Sequence, residues 1–282
     1  MVIPSKYQGV LKKECNMEVI SFMAIKGGVG KTTMAFQLAK FLQDRKKKVL
    51  LIDMDGQKSL TGTFESENVS FKNSLSISDI LSNPSITEEE TAINDFISFI
   101  PSVSNLDNLT DLLSIKPNKE LLLFMWFSRN IDRLEKSYEY VIIDLPPAWN
   151  LLTKNGVAVS DKIISPLDPS RFGYESHIKV LQSIATLKKE VVDPVSGKSY
   201  ITATVNFLGN RVKHNTKTSK EFLSALKGID NVIGIIPEKE LINASMLEKL
   251  GIEEYLRKEE KLKEQEKFLI LINDIFSNIL EA

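Results

Sequence analysis

Apolar and polar positions alternate along the chain in a pattern that predicts strands and helices in turn. Residues 18–25 (EVISFMAI) form a short β-branched and aromatic run that ends at a glycine cluster, as is typical of a buried strand. From Thr32 the segment TTMAFQLAKFLQDR spaces its apolar residues by four and three, which predicts an amphipathic helix. A second apolar run over 48–53 (KVLLID) predicts the next strand.

The same alternation continues toward the C-terminus. Further apolar runs of strand length lie at 96–103, 140–144, 162–167, 200–206 and 231–236. Helix-length segments such as 174–189 separate them, whereas the Ser-, Asn- and Asp-rich region 61–118 predicts loops with short helices. Near-continuous apolar strands that alternate with helices indicate an α/β fold, a doubly wound, mostly parallel β-sheet flanked by helices.

The chain after Gly251 changes to dense charge and then to an apolar-periodic end, which predicts one long terminal helix with an amphipathic second half. Its apolar face carries Phe268, Ile272, Ile275 and Ile279. The polar face lacks the Lys/Arg excess of membrane-interface helices, so we expect this half to pack on the sheet domain or on another subunit. The predicted organisation is an extension over 1–17, one α/β domain over 18–251 and the terminal helix over 252–282.

Composition excludes several classes of protein. Of 282 residues, 43% are hydrophobic and 26% charged, which excludes a wholly disordered chain, a collagen or a coiled-coil rod. A net charge of -1 means that attraction for nucleic acid or anionic lipid must come from a local patch. The single cysteine, Cys15, excludes an internal disulfide and a Cys-only metal site. Residues 1–17 lack a signal-peptide core and no uncharged apolar run of eighteen occurs, so we expect a soluble cytoplasmic protein.

A glycine-rich loop separates the first predicted strand from the first predicted helix. It consists of Lys26, Gly27, Gly28, Val29, Gly30, Lys31, Thr32 and Thr33. Strand, glycine loop and helix in this order are what a phosphate loop requires, because backbone N–H groups and the helix N-terminus then surround the phosphates. Lys31 would contact the β- and γ-phosphates and the Thr32 hydroxyl would bind Mg²⁺, so we predict a Mg-ATP site.

One departure from the common phosphate-loop pattern carries a family resemblance. The first glycine of G-x-x-x-x-G-K-[ST] would fall at Ile25, and Lys26 instead precedes the paired glycines. With KGGVGKTT the sequence resembles the deviant Walker A family typified by ParA and MinD ATPases. The resemblance implies that Lys26 is the signature lysine, which contacts phosphates bound by the partner subunit in an ATP-dependent homodimer. A second cation there would stabilise the transferring charge, much as an arginine finger does.

Two acidic segments extend the resemblance. Residues 53–57 (DMDGQ) resemble the DxDPQ switch I segment, with glycine in place of proline, and the resemblance gives Asp55 the tasks of orienting the attacking water and binding metal. The alternative is that Asp53 and Asp55 are solvated loop residues that cap a helix. Residues 140–147 (YVIIDLPP) resemble a Walker B strand with its switch II turn, and Asp144 would hold Mg²⁺ through a water.

The resemblance, which covers 18–251, also indicates where the base would bind. Asn206 ends a predicted strand where the family places Asn or Thr against adenine, although it could simply terminate that strand. Pro237 resembles the proline of the family's IPR segment, whose backbone borders the base.

The family's tasks differ between members and must be inferred from the appendages. The segments 55–57 and 96–102 look more like ParA, which implies nonspecific DNA binding by the ATP dimer, slow hydrolysis stimulated by a small ParB-like centromere-binding protein, and association with the nucleoid. The alternatives are a MinD-like ATPase that positions a cell-division or other cargo protein at the membrane, and a nucleotide-gated scaffold. Cys15 precedes the loop and only Tyr255 lies near the end, which excludes nitrogenase iron-protein relatives and tyrosine autokinases.

The DNA contacts of ParA relatives cannot be transferred to this chain, because Glu238 and Leu241 stand where arginines are usual. We predict a replacement basic patch in the loop and helix after the strand that ends at Asn206, with an extension on the terminal helix. Its residues are Arg211, Lys213, Lys217 and Lys220, extended by Arg257, Lys258 and Lys261. The alternative is a solvated face whose lysines balance neighbouring glutamates.

Overall fold

The computed structural model describes residues 17–65, 69–104 and 106–282, and within them eight strands form one sheet. The strands are β1 Glu18–Phe22, β2 Val49–Asp53, β3 Thr91–Ala92, β4 Ile97–Ile100, β5 Tyr140–Asp144, β6 Lys162–Leu167, β7 Thr204–Val212 and β8 Val232–Pro237. Their order is β3-β4-β2-β5-β1-β6-β7-β8, and all neighbours pair in parallel except β3 with β4. The predicted doubly wound, mostly parallel sheet is confirmed. Cys15 and the predicted extension lie outside the described residues, apart from Met17.

Helices follow most strands and cover the sheet. They are α1 Lys31–Asp44, α2 Ser59–Phe64, α3 Ile77–Ser82, α4 Leu106–Leu113, α5 Leu122–Ser137, α6 Leu151–Val159, α7 Arg171–Glu190, α8 Lys217–Leu226, α9 Glu240–Leu247, α10 Ile252–Lys258 and α11 Glu266–Glu281. In the described part of the chain, none of them has the length and apolar character needed to span a bilayer.

The sheet separates two hydrophobic layers. Successive residues of a strand point to opposite faces, so Leu50 and Ile52 pack into one layer while Val49 and Leu51 pack into the other. All of these side chains are fully buried, which explains why the central strands are continuously apolar. The first layer is filled from α5, whose Trp126 is fully buried, and the second from α1 and α11.

Strand β7 differs from the sequence prediction at both of its ends. It begins at Thr204 rather than at residue 200 and continues to Val212. The N–H of Tyr200 donates to the Val191 carbonyl and its hydroxyl to Asp193, so this residue belongs to the preceding loop. The predicted strand end at Asn206 is therefore wrong, because Asn206 is the third residue of β7 and pairs in register with Ile164.

The C-terminal segment also differs, because the predicted single long helix is two helices. The chain leaves α10 at Glu260, whose φ of 56° is left-handed, and the Lys261 N–H donates back to the Leu256 carbonyl. This turn lets α11 run separately and place its apolar face on the same chain's sheet domain. The buried residues of that face are Phe268, Ile272, Ile275, Phe276 and Ile279.

Helix α11 packs closely against β8. A Cβ atom at Gly234 would lie 2.6 Å from Cγ1 of Ile275, so only glycine leaves enough room for the helix at this point. The ammonium of Lys162 donates to the carbonyls of Ile279 and Leu280 and forms an ion pair with Glu18 at 2.7 Å. A cation therefore satisfies carbonyls at the end of α11, where the helix dipole favours positive charge.

Candidate nucleotide site

The glycine loop lies between the carboxyl end of β1 and the start of α1, in the middle of the sheet. Gly28 and Gly30 have φ values of 77° and 97°, which L side chains rarely adopt. A Cβ at Gly30 would also collide with the amide nitrogen of Asn210. The loop thus ends in a helix N-terminus whose first N–H groups have no helical partner, which is an arrangement suited to anions.

Lys31 is the first residue of α1, and it is only 6% exposed. Burial lowers the pKa of its ammonium, while the carboxylates of Asp144 and Asp55 oppose that change. The structure therefore brings the predicted phosphate-binding lysine together with both predicted acidic residues. A buried cation of this kind can bind phosphate oxygens strongly because little water competes with them.

Asp144 is the last residue of β5, and its carboxylate is buried. Neither oxygen has a hydrogen bond of standard geometry in the described structure, although the nearby Thr32 hydroxyl still favours the charged form. Burial raises the pKa of Asp144 to about 8, Asp53 adds to this, and Thr32 and Lys31 oppose it. Buried carboxylate oxygens without donors fit a hydrated divalent cation, and Thr32 and Asp144 are the residues that would hold Mg²⁺.

Asp53 caps the first turn of α2, as the alternative interpretation expected, but it does so from the buried end of β2. Its buried carboxylate accepts hydrogen bonds from the Thr61 N–H at 2.8 Å, the Thr61 hydroxyl at 2.7 Å and the Asp55 N–H at 2.9 Å. Burial raises the pKa of Asp53 to about 6, and these hydrogen bonds limit the rise. Asp53 is thus no solvated loop residue, and it fixes the loop that carries Asp55.

Asp55 lies in that loop and is partly exposed. Its carboxylate accepts the Gln57 N–H at 3.0 Å, which closes a local turn, and its charge acts on Lys31 and Asp144. The predicted switch I residue therefore faces the same cluster as the phosphate loop. This position suits a residue that orients a water against a bound phosphate.

Lys26 lies at the rim of the loop and contacts the segment that follows β6. Its ammonium donates to Oδ2 of Asp168 at 2.6 Å and to the Ser170 hydroxyl at 2.8 Å, and the side chain is 34% exposed. The Ser170 hydroxyl in turn donates to the other oxygen of Asp168 at 2.8 Å. Asp168 was missed by sequence reasoning, because only its place after an apolar strand marks it.

A cavity of about 180 Å³ opens beside the phosphate loop, at the ends of β7 and β8. Gly30 and Thr33 border it on one side, and Pro237, for which a contact with the base was predicted, borders it on the other. Asn206 does not line this cavity, whereas Asn210 does, four residues further along β7. The signal that could have found Asn210 was the apolar run of β7, which continues past Asn206 to Val212 and contains Asn210 as a second buried amide.

The predicted basic patch is not one continuous cationic surface. Arg211 lies within β7 rather than in the loop after it, and its guanidinium donates to the Gly28 carbonyl at 2.6 Å. Lys213 and Lys217 pair with carboxylates, as do the residues of the extension. The pairs are Lys213–Glu238, Lys217–Glu221, Arg257–Glu253, Lys258–Glu248 and Lys261–Glu259.

The chain is similar to one family of proteins and to several of its members. The family model described as "AAA domain" matches residues 17–196. The chromosome-partitioning ATPase Soj of Treponema pallidum is 28% identical over 170 residues, 59% of this chain and 63% of that protein. Maintenance of carboxysome distribution protein A of Synechococcus elongatus is 26% identical over 173 residues, 61% of this chain and 67% of that protein.

A solved structure extends the likeness over nearly the whole chain. An ATP complex of a variant of McdA from Cyanothece superposes with a TM-score of 0.76 and 23% identity, covering 94% of this chain and 96% of that one. At this identity the likeness concerns the fold, which is the parallel sheet and flanking helices described above.

Proposed function

This chain belongs to the AAA-domain family of ParA/MinD-type P-loop ATPases, and on that premise we propose that it is a ParA-type partition ATPase. In this proposal the protein binds Mg-ATP, forms a homodimer with ATP and binds DNA without sequence preference. A small ParB-like partner stimulates its slow hydrolysis of ATP, and the cycle moves a plasmid or chromosome within the cytoplasm, on the nucleoid.

The observation that carries the proposal is the buried carboxylate of Asp144 beside Lys31 and Thr32. Burial of this carboxyl group raises its pKa to about 8, so that it holds a proton at neutral pH, and a bound metal ion would stabilise the charged form instead. Mg²⁺, when bound, would neutralise charge on the β- and γ-phosphates. Lys31 binds phosphate oxygens. Asp55, which lies on the loop that Asp53 fixes, orients the attacking water.

Lys26 is the residue that connects hydrolysis with dimerisation. In the single chain Asp168 and Ser170 hold its ammonium against the segment that follows β6. We infer that in the dimer the Lys26 ammonium leaves Asp168 and contacts phosphate oxygens of the nucleotide in the partner subunit. The incoming cation would stabilise charge that develops in the transition state, and hydrolysis would then depend on the dimer.

Calorimetric titration with Mg-ATP tests the nucleotide site. Lys31→Ala removes a charge-assisted contact worth about 1.5 to 3 kcal/mol, which is roughly a tenfold to 150-fold loss of affinity. Lys47→Ala is the control, because Lys47 is partly exposed and pairs with Glu139 beyond the far end of α1. If Lys31→Ala bound ATP as tightly as the parent, the proposed site would be wrong.

Cosedimentation with DNA in the presence of ATP tests the partition task. We expect DNA binding to require ATP, to weaken steeply with salt, and to be lost on reversing Lys213 and Lys217 to Glu while dimerisation persists. A matched control reverses Lys46 and Lys47 to Glu. It changes the net charge by the same amount, just after the C-terminal end of α1 and away from the glycine loop. Unchanged DNA retention in the Lys213 and Lys217 variant would place the contact elsewhere.

A second candidate function is the positioning of a cargo other than a replicon. The ion pairs of Lys213 and Lys217 favour it, because they reduce the positive field that the patch offers to DNA. A membrane-bound version is less favoured, since the apolar face of α11 is already buried on the sheet domain. Binding to anionic liposomes with ATP, in place of DNA, would support the MinD-like alternative.

A further inference from the structure

Strand β7 contains an irregularity next to the phosphate loop. Gly209 lies opposite Ile235 and Val212 lies opposite Pro237, so β7 has three steps where β8 has two. The extra residue makes a bulge, and Arg211 within it has a left-handed φ of 56°, which is unfavourable for a residue with a Cβ. Bulges of this type redirect side chains, and they are common beside functional sites.

The bulge makes two consecutive side chains of β7 reach the same loop. Nδ2 of Asn210 donates to the Val29 carbonyl at 2.8 Å, and the guanidinium of Arg211 donates to the Gly28 carbonyl at 2.6 Å. In a regular strand, neighbouring side chains point to opposite faces, so only one of them could do this. The Arg211 N–H also donates to Oδ1 of Asn210 at 3.0 Å, which fixes the orientation of the amide.

Holding these carbonyls has a geometric consequence for the phosphate side of the loop. A trans peptide places its C=O and N–H on opposite sides of the bond. When the carbonyls of Gly28 and Val29 are fixed toward β7, the N–H groups of Val29 and Gly30 point away from β7. Those are the groups that a phosphate loop must present to an anion.

We propose that Arg211 and Asn210 form a positioning clamp, which sets the phosphate loop in its anion-binding geometry before nucleotide arrives. Arg211 is then a residue that acts on triphosphate affinity through the loop, without contributing to the basic DNA patch. The clamp rests on the nucleotide-binding part of the proposed function. Both clamp residues also line the cavity beside the loop, so a base bound there would contact the same device.

Substitutions at Arg211 test the clamp by calorimetry with ATP and, separately, with inorganic triphosphate. Arg211→Gly removes the guanidinium and keeps a residue that tolerates positive φ. We expect ATP and triphosphate to lose affinity by a similar factor, roughly tenfold, and Arg211→Lys to recover part of it. Lys46→Gly is the matched control, since Lys46 is an exposed basic residue with φ of 58° beyond the far end of α1.

Amide hydrogen exchange in the nucleotide-free protein gives a readout independent of binding. The Val29 and Gly30 amides should exchange faster in Arg211→Gly than in Lys46→Gly, while the thermal midpoint shows whether both variants fold. If Arg211→Gly bound triphosphate as tightly as the parent, the clamp would be wrong. A loss of affinity for ATP alone would also contradict it, because Arg211 would then contact the base or the ribose. If the parent protein bound neither ATP nor triphosphate, the proposed function itself would be wrong, and the clamp would have no phosphate ligand to act on.

Discussion

The ionisable residues of the candidate site lie at the ends of central strands and at the start of α1, and their burial lowers the stability of the protein. Asp53 and Asp144 are buried carboxyl groups whose pKa values are raised, chiefly by burial. Lys31 is a buried ammonium whose pKa is lowered for the same reason. Functional sites commonly hold such unfavourable groups because they are needed when ligand binds.

Asp144→Asn should stabilise the nucleotide-free protein while removing Mg²⁺-dependent ATP binding. The folded pKa of about 8 lies above the ordinary value of 3.8, so the folded state holds the proton more tightly than the unfolded state does. The stability of the parent therefore falls as the pH rises between these two values. The variant does not titrate there. We expect it to be more stable than the parent by over about 1 kcal/mol at pH 8, and by less at pH 5.

Urea unfolding at the two pH values, without nucleotide, measures this difference. Asp274→Asn is the control, because Asp274 is exposed on α11 and its substitution should change stability equally little at both pH values. A variant at Asp144 that is no more stable than the parent at pH 8 would show that the free carboxylate carries no such cost.

At the scale of elements, the terminal helix α11 shows how packing is concentrated on one face. Ile275 is 2% exposed and lies against Gly234 of β8, whereas Ile270 on the same helix is 53% exposed. The helix is thus part of the core, although the segment before it is highly charged. Its removal from the sheet would expose the second hydrophobic layer.

The substitution of isoleucine by alanine at these two positions should separate core from surface. Ile275→Ala removes buried methyl groups and leaves a cavity, so we expect a loss of about 2 to 4 kcal/mol in the free energy of unfolding. Ile270→Ala should change it by no more than about 0.5 kcal/mol. Chemical denaturation of both variants checks this, and similar losses would mean that α11 does not anchor on the sheet as described.

At the scale of the whole molecule, the position of Lys26 predicts that hydrolysis is a property of the dimer. Lys26→Ala should keep ATP binding in the single chain and lose both ATP-dependent dimerisation and turnover. Asp55→Ala should do the reverse and accumulate an ATP-bound dimer, because the water is no longer oriented.

Sedimentation velocity with ATP, together with phosphate release, distinguishes these variants. Lys48→Ala serves as control, since Lys48 is exposed at the opposite edge of the sheet, just before β2. If Lys26→Ala dimerised and hydrolysed ATP as the parent does, the exchange of Asp168 for the partner's phosphate would have to be abandoned.

The sequence by itself determined the features that depend on neighbouring residues. The apolar runs predicted β5 and β6 at their observed bounds, because these central strands are buried on both faces and contain few polar residues. The glycine loop was recognisable because the phosphate-binding conformation needs glycines at fixed spacing before a helix. Asp144 was predicted from a different local signal, an acidic residue at the end of an apolar strand.

Only the tertiary structure decided the features that join distant parts of the chain. Lys26 meets Asp168 across 142 positions, and Arg211 meets Gly28 across 183, which no local pattern encodes. Asn210 rather than Asn206 reaches the loop, because the extent of β7 was set by pairing with β6 and β8. The terminal segment likewise divides into two helices because the apolar face of α11 must meet the sheet, a contact that overrides local helix propensity.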